Sequence, residues 1–174
     1  SAGETVEIDE NIKTIASEAF VGNESIKKLV VRGYNFRKIG DNAFKNCSTL
    51  EKIEIYNLND VVGLGAGALD GVSANLKIKV PQKHLNTYKT ETTKGWTSFA
   101  NNLSTLDKLS VKYIVGDKVV KESLVDYGNE IGEDYKYIDD SEAYYAKTWK
   151  TADGTEIKGY HTITDDIVLY GELA

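Results

Sequence analysis

The sequence predicts an α+β protein in two parts, a short solenoid with a parallel β-sheet followed by a small mixed-β domain. Three observations carry this expectation. Residues 15–55 repeat themselves at an offset of 24: Ile15-Ala16-Ser17-Glu18-Ala19-Phe20 with Ile26, Leu29 and Val31 returns as Ile39-Gly40-Asp41-Asn42-Ala43-Phe44 with Leu50, Ile53 and Ile55. A period in the twenties marks a solenoid. Residues 109–125 then change to a two-residue alternation broken at Gly116-Asp117, the pattern of a hairpin. Charge divides the same way, with 13 Lys/Arg against 12 Asp/Glu in residues 1–106 and 8 against 15 in residues 107–174. Domains are therefore expected over 4–106 and 107–174.

Within the repeats, Leu29-Val30-Val31, Ile53-Glu54-Ile55 and Ile78-Lys79-Val80 alternate with period two, so their first and third side chains point inward from short strands. Val6-Glu7-Ile8 has the same form and is expected as the first strand or cap. A looser third copy, Leu64-Gly65-Ala66-Gly67-Ala68-Leu69 with Ile78 and Val80, follows at an offset of 25. Because each copy leaves its predecessor in the same direction, the strands should form a parallel ladder. The segments 15–20 and 39–44 place apolar groups at i, i+4 and i+5, which suits one or two turns of α or 3₁₀ helix on the outer side. Two columns should stack inside: Phe20, Phe44 and Leu69, and then Asn23, Cys47 and Val72. A buried Asn in such a ladder must bond to loop carbonyls or N–H groups.

The run Ile39-Gly40-Asp41-Asn42-Ala43-Phe44-Lys45-Asn46-Cys47-Ser48-Thr49-Leu50-Glu51-Lys52-Ile53 resembles the BspA-type leucine-rich repeats of bacterial surface proteins. Leu76 to Pro81, followed by Tyr88, Gly95-Trp96 and Phe99, looks like the terminal strand and cap of such an array. Pro81 would end the ladder by removing an N–H. Leu85, Tyr88, Trp96 and Phe99 would cover the last repeat from a helix near 82–91 and a turn near 96–102.

In the second part, strands are expected over 109–115, 118–125 and 167–170, turns at Tyr127-Gly128 and Asp153-Gly154, and a short helix or strand over 140–147. Val111 and Tyr113, Tyr127-Gly128 with Ile131, Trp149 before Thr151 to Thr155, and the run Ile163 to Tyr170 resemble the Listeria-Bacteroides repeat, the internalin B-repeat. That resemblance implies a β-grasp-like fold. The chain departs from it in having Ala146-Lys147-Thr148-Trp149 where the family has Phe-x-Gly-Trp.

Composition excludes several functions. A net charge of −6 argues against non-specific binding to nucleic acid or anionic membrane, which needs a concentrated basic surface. No apolar run of about 18 residues is present, so no membrane insertion is expected. The single Cys47 leaves no internal disulfide. Absence of Met reads as a mature or excised segment, and Ser1-Ala2-Gly3 is set aside.

Catalytic and metal chemistry finds no footing in the sequence. His84 and His161 have no Cys, His or Glu at ligand spacing, and His84 is expected on the surface of the cap helix. Cys47 falls on an inward column, where a thiol packs and stays inert. Glu133, Asp134, Asp139, Asp140 and Glu142 offer oxygens to Ca²⁺ but lack the spacing of a calcium loop, so a solvated acidic loop is expected. Gly63, Gly65 and Gly67 suit repeat geometry rather than a phosphate loop. No cofactor is expected.

One surface does suggest binding. Lys28, Lys52 and Lys77 should stack about 4.8 Å apart on the outward strand face, with Val30, Glu54 and Lys79 beside them and Arg32 and Tyr56 at the edge. Glu51 and Glu54 are placed to neutralise them. Lys28, Lys52, Glu54, Tyr56 and Lys77 form the expected contact face for a host or bacterial surface protein, or for a glycan. The first resemblance implies a secreted or cell-surface, non-enzymatic adhesion module. Two alternatives are a structural spacer and a non-catalytic carbohydrate-binding part of an exported hydrolase. The glycan reading would need exposed aromatics, and Trp96 and Trp149 are both expected to be buried.

Overall fold

The computed structural model describes residues 3–132 and 146–173. In chain order the strands are β1 (Glu4–Ile8), β2 (Thr14–Ile15), β3 (Ile26–Val31), β4 (Lys38–Ile39), β5 (Lys52–Ile55), β6 (Gly63–Leu64) and β7 (Lys77–Val80). Helix α1 (Gln82–Thr90) and 3₁₀ turns at Thr92–Lys94 and Thr97–Asn102 come next. They precede β8 (Leu103–Thr105), β9 (Leu109–Val115), β10 (Lys118–Val125), β11 (Ala146–Lys150), β12 (Glu156–Ile157) and β13 (Ile167–Leu173). The chain divides into two compact units, Ser1–Leu106 and Asp107–Ala174.

The first unit is a parallel solenoid. One sheet has the order β1-β3-β5-β7-β8, and a second, smaller sheet the order β2-β4-β6. Registers keep the repeat: Leu29 pairs with Ile53 and Ile53 with Ile78. Between the sheets lies a continuous core in which Leu29, Ile39, Phe44, Cys47, Leu50, Ile53, Ile55 and Ile78 are fully buried. Burial of one such aliphatic or aromatic side chain stabilises by about 1.5–3 kcal/mol, so a single repeat, open on both sides, does not hold alone.

The outer segments differ from the expected helices: they are paired tight turns. Left-handed φ values recur at the repeat spacing, at Glu18 (61°), Asn42 (54°) and Gly67 (67°), and again at Gly22 (71°), Asn46 (61°) and Gly71 (75°). Such residues interrupt any helix. Backbone donors then alternate in direction. Ala19, Val21 and Asn23 N–H groups close turns within their own repeat onto Ala16, Glu18 and Phe20. Those of Glu18, Phe20 and Gly22 instead reach Asp41, Ala43 and Lys45 in the next repeat at 2.8–2.9 Å. A helix would keep its N–H groups for itself, whereas this arrangement ties each repeat to its neighbour.

The inner columns are tapered. Phe44 and Leu69 are buried, whereas Phe20 is half-buried and stacks on Phe44 with ring centroids 5.1 Å apart. Asn23 and Val72 are half-buried around a fully buried Cys47. Asn23 Oδ1 accepts from the N–H groups of Ser25 and Ile26 at 2.8 and 3.0 Å, as a polar ladder residue must. The Cys47 thiol donates to the carbonyl oxygen of Phe20 at 2.9 Å, and burial pushes its pKa up.

Pro81 does not end the sheet. Strand β8 adds a fifth parallel strand beside β7, pairing Ile78 with Leu103 and Val80 with Thr105. The next strand uses the Val80 carbonyl, which accepts from Leu106 N–H at 2.9 Å, so the missing proline donor is not needed. Tyr88 of α1 and Trp96, both fully buried, close the end of the solenoid.

The second unit is one mixed sheet of order β10-β9-β13-β11-β12. Strands β9 and β10 form the expected antiparallel hairpin, while β13 runs parallel to β9 and antiparallel to β11. Its core is Val111, Tyr113, Ile131, Trp149, Ile157, Ile163 and Leu169. Tyr113 and Trp149 meet edge to face at 4.9 Å. The acidic group Glu133, Asp134, Asp139, Asp140 and Glu142, and nearly all of the segment expected over 140–147, lie outside the described residues.

Candidate functional site

The outward face of the large solenoid sheet is built by register. A 24- or 25-residue offset brings Lys28 beside Lys52 and Lys52 beside Lys77 on β3, β5 and β7. The next row is Val30, Glu54 and Lys79. Like charges one strand apart repel, so acids must neutralise them or a ligand can.

Neutralisation is partial. The Lys28 ammonium lies 2.7 Å from the Glu54 carboxylate, whose side chain is 11% exposed. Among the described residues, Glu51 forms no ion pair, and neither Lys52 nor Lys77 has one. Lys77 is exposed and Lys52 half-exposed. A cavity of about 430 Å³ opens there, lined by Lys27, Lys28, Glu51, Lys52, Asn75 and Lys77. A second of about 710 Å³ shares Asn75 and Lys77 and continues past Lys79 to Asn102 and Ser104. Together they make a cationic trough running across successive strands.

Two expected contacts sit differently from the sequence reading. Glu54 and Val30 are buried, at 8% and 4% exposure, because the Lys28 ion pair lies across this row and withdraws the carboxylate from solvent. Tyr56 is half-buried, and the Arg32 guanidinium stacks 4.5 Å from its ring centroid while its Nε lies 2.8 Å from Glu7. The exposed character of the face therefore resides in the lysines.

The remaining candidates separate from this face. His84 is half-buried rather than exposed, with Nε2 2.8 Å from the Leu58 carbonyl oxygen, so it ties α1 to a solenoid loop. His161 is exposed in the second unit. Among the described residues no group of three or more His, Cys, Asp or Glu is placed to hold a metal, and no helix is long and apolar enough to cross a membrane. Trp96 and Trp149 are buried at 0% and 2% exposure, so neither offers a stacking platform.

One feature escapes the sequence reading altogether. A cavity of about 350 Å³ lies between the loops that follow β3 and β5, with Tyr34, Arg37, Asn57 and Asn59 among its lining residues. The signal available was Gly33-Tyr34-Asn35, an aromatic in turn-forming company between the inward residues Val31 and Phe36.

Parallel strands at a 24-residue period, one aliphatic core and interlocked outer turns define a leucine-rich solenoid. A family model described as the BspA type leucine rich repeat region matches residues 2–111 in six copies. The chain belongs to this family. Its members are typically non-catalytic, surface or secreted modules of protein–protein interaction. None of the curated proteins compared matches the chain.

Proposed function

We propose that this protein is a non-enzymatic adhesion module, secreted or held at a cell surface, that binds an acidic segment of a host or bacterial surface protein. The trough over Lys28, Lys52 and Lys77 is its contact face. The observation that carries the reading is the in-register lysine ladder in which, among the described residues, only Lys28 has an acidic partner. An extended acidic segment lying across the strands would meet one ammonium per strand, about every 4.8 Å. Glu54 and Tyr56 then act from beneath and from the edge, by holding Lys28 and Arg32 in place.

The second unit is proposed as a β-grasp-like, B-repeat-type domain, forming with the first a domain pair over 4–106 and 107–174. The pairing of β9 with antiparallel β10 on one side and parallel β13 on the other supports this assignment. It is the mixed arrangement such a domain needs.

The test is binding of the full chain to immobilised extracellular-matrix and bacterial surface proteins, beside a variant with Lys28, Lys52 and Lys77 all changed to Ser. Loss of the hits at unchanged thermal stability is the expected result. Equal binding by the variant would overturn the proposed face, and no binding to any protein would favour a spacer.

A further inference from the structure

The loop cavity on the same solenoid is separate in chemistry from the lysine trough. Its floor is preformed. Asn57 is 3% exposed, and its side-chain amide donates to the carbonyl oxygens of Phe36 at 2.9 Å and Gly33 at 3.4 Å, while its Oδ1 accepts from Asn59 N–H at 2.9 Å. One buried side chain thus locks the loops of two successive repeats to each other. Lys94 reaches over from the capping region to Asp60, 3.8 Å away. A site of about 350 Å³ lies at the small end of the range of roughly 300–1,000 Å³ that holds small ligands.

The rim is unspent. Tyr34 is 62% exposed, although the other large aromatics of this unit pack into or against its core or, like Tyr56, lie under Arg32. Among the described residues the Arg37 guanidinium has no ion pair, and the Asn35 side chain has no hydrogen-bond partner. An exposed ring, a free amide and an unmatched planar cation around one cavity make a specific set of demands. A pyranose ring presents C–H groups to stack on an aromatic face and hydroxyls to meet amides. Arginine selects a planar carboxylate through two parallel N–H bonds.

Charge narrows the class further. With Lys94 matched to Asp60, the cavity carries one unmatched positive charge, that of Arg37. A monoanion balances it, whereas a phosphate dianion would leave one negative charge facing Asp60. We infer that this cavity binds a carboxylate-bearing sugar residue, with Arg37 on the carboxylate, Tyr34 under the ring, and Asn35 and Asn59 on hydroxyls.

The experiment is ligand-detected NMR and calorimetric titration of the full chain with D-glucuronate, beside D-glucose and inorganic phosphate. D-glucuronate should bind, with D-glucose and phosphate at least about tenfold weaker, since a charge-assisted hydrogen bond carries that much discrimination. Arg37→Lys keeps the charge and loses the fork, and Tyr34→Ala removes the platform. Each should weaken binding about tenfold or more. Both residues are exposed, so unchanged melting temperatures will show the variants folded. Lys52→Ser, outside the lining of this cavity, should leave glucuronate binding unaltered. No glucuronate binding at 10 mM, equal binding by both rim variants, or equal binding of phosphate would each overturn the assignment; loss of protein binding in the lysine variants would not bear on it.

Discussion

Lys28 and Glu54 form a cross-strand ion pair of 2.7 Å, joining adjacent repeats on the outward face of the solenoid. The pair occupies one cation of the ladder and withdraws the Glu54 carboxylate from solvent. Glu54→Gln should therefore release Lys28 to solvent and to ligand. We expect binding of an acidic peptide to tighten up to about fivefold, with stability lowered by about 1–3 kcal/mol, more than a surface pair loses because the Glu54 carboxylate is buried. Titration of both proteins with the peptide, with melting curves alongside, checks this.

Both backbone groups of the buried Val62 are satisfied by side chains of the cap. Its N–H donates to the Tyr88 hydroxyl at 3.0 Å, and its carbonyl accepts from Trp96 Nε1 at 2.6 Å. Tyr88→Phe strands a buried donor and should cost about 1–3 kcal/mol. Urea unfolding monitored by Trp fluorescence measures it. A loss below about 0.5 kcal/mol would mean that the loop relaxes to find another acceptor.

The outer turns set opposite expectations at two positions. A Cβ on Gly40 would lie 2.6 Å from both Ile15 O and Ser17 N, backbone atoms of the preceding repeat that cannot step aside. Gly40→Ala should destabilise by about 1–3 kcal/mol or more. Glu18 holds a left-handed φ of 61° with a full side chain. Glu18→Gly should relieve about 1 kcal/mol of backbone strain, less what the freer unfolded chain takes back. Thermal melts of the two variants should shift in opposite directions.

Alkaline pH should weaken the fold. Burial raises the Cys47 thiol above its ordinary 9.0 and the Tyr88 hydroxyl above its ordinary 10.0. As pH passes those ordinary values, the unfolded chain sheds both protons while the folded chain keeps them. The unfolded state then binds fewer protons, so stability falls as pH rises. The decline should begin near pH 9 and steepen near pH 10. Urea midpoints from pH 8 to 11 test this, and Cys47→Ser should delay the onset.

The solenoid was legible because its two signals agree: inward pairs such as Ile53 and Ile55 alternate along a strand, and they recur at one offset. The outer turns were not, since apolar spacing at Ile39, Ala43 and Phe44 suits a helix equally well. What distinguishes them is the recurrence of Gly or Asn at 22, 42, 46, 67 and 71, residues that tolerate left-handed backbone. Strand β8 escaped because Leu103-Ser104-Thr105 offers one buried apolar residue and no repeat signature. For the proposed contact face, register followed from the offset and placed all three lysines together. The burial of Glu54 and Val30 did not follow, because alternation assigns a side without saying what lies across it. Tyr34 and Arg37 were missed for a related reason: loops from different repeats meet only once the solenoid has coiled.

The most direct test of the central claim is the salt dependence of acidic-peptide binding, using poly-L-glutamate and the full chain beside Lys52→Ser/Lys77→Ser. Wild-type affinity should fall steeply as ionic strength rises from about 0.05 to 0.3 M. The double variant should bind about tenfold more weakly at low salt, with a shallower slope, having lost the two unmatched cations of the ladder. Identical affinity and slope in the two proteins would contradict the account and remove the lysine trough as the recognition surface.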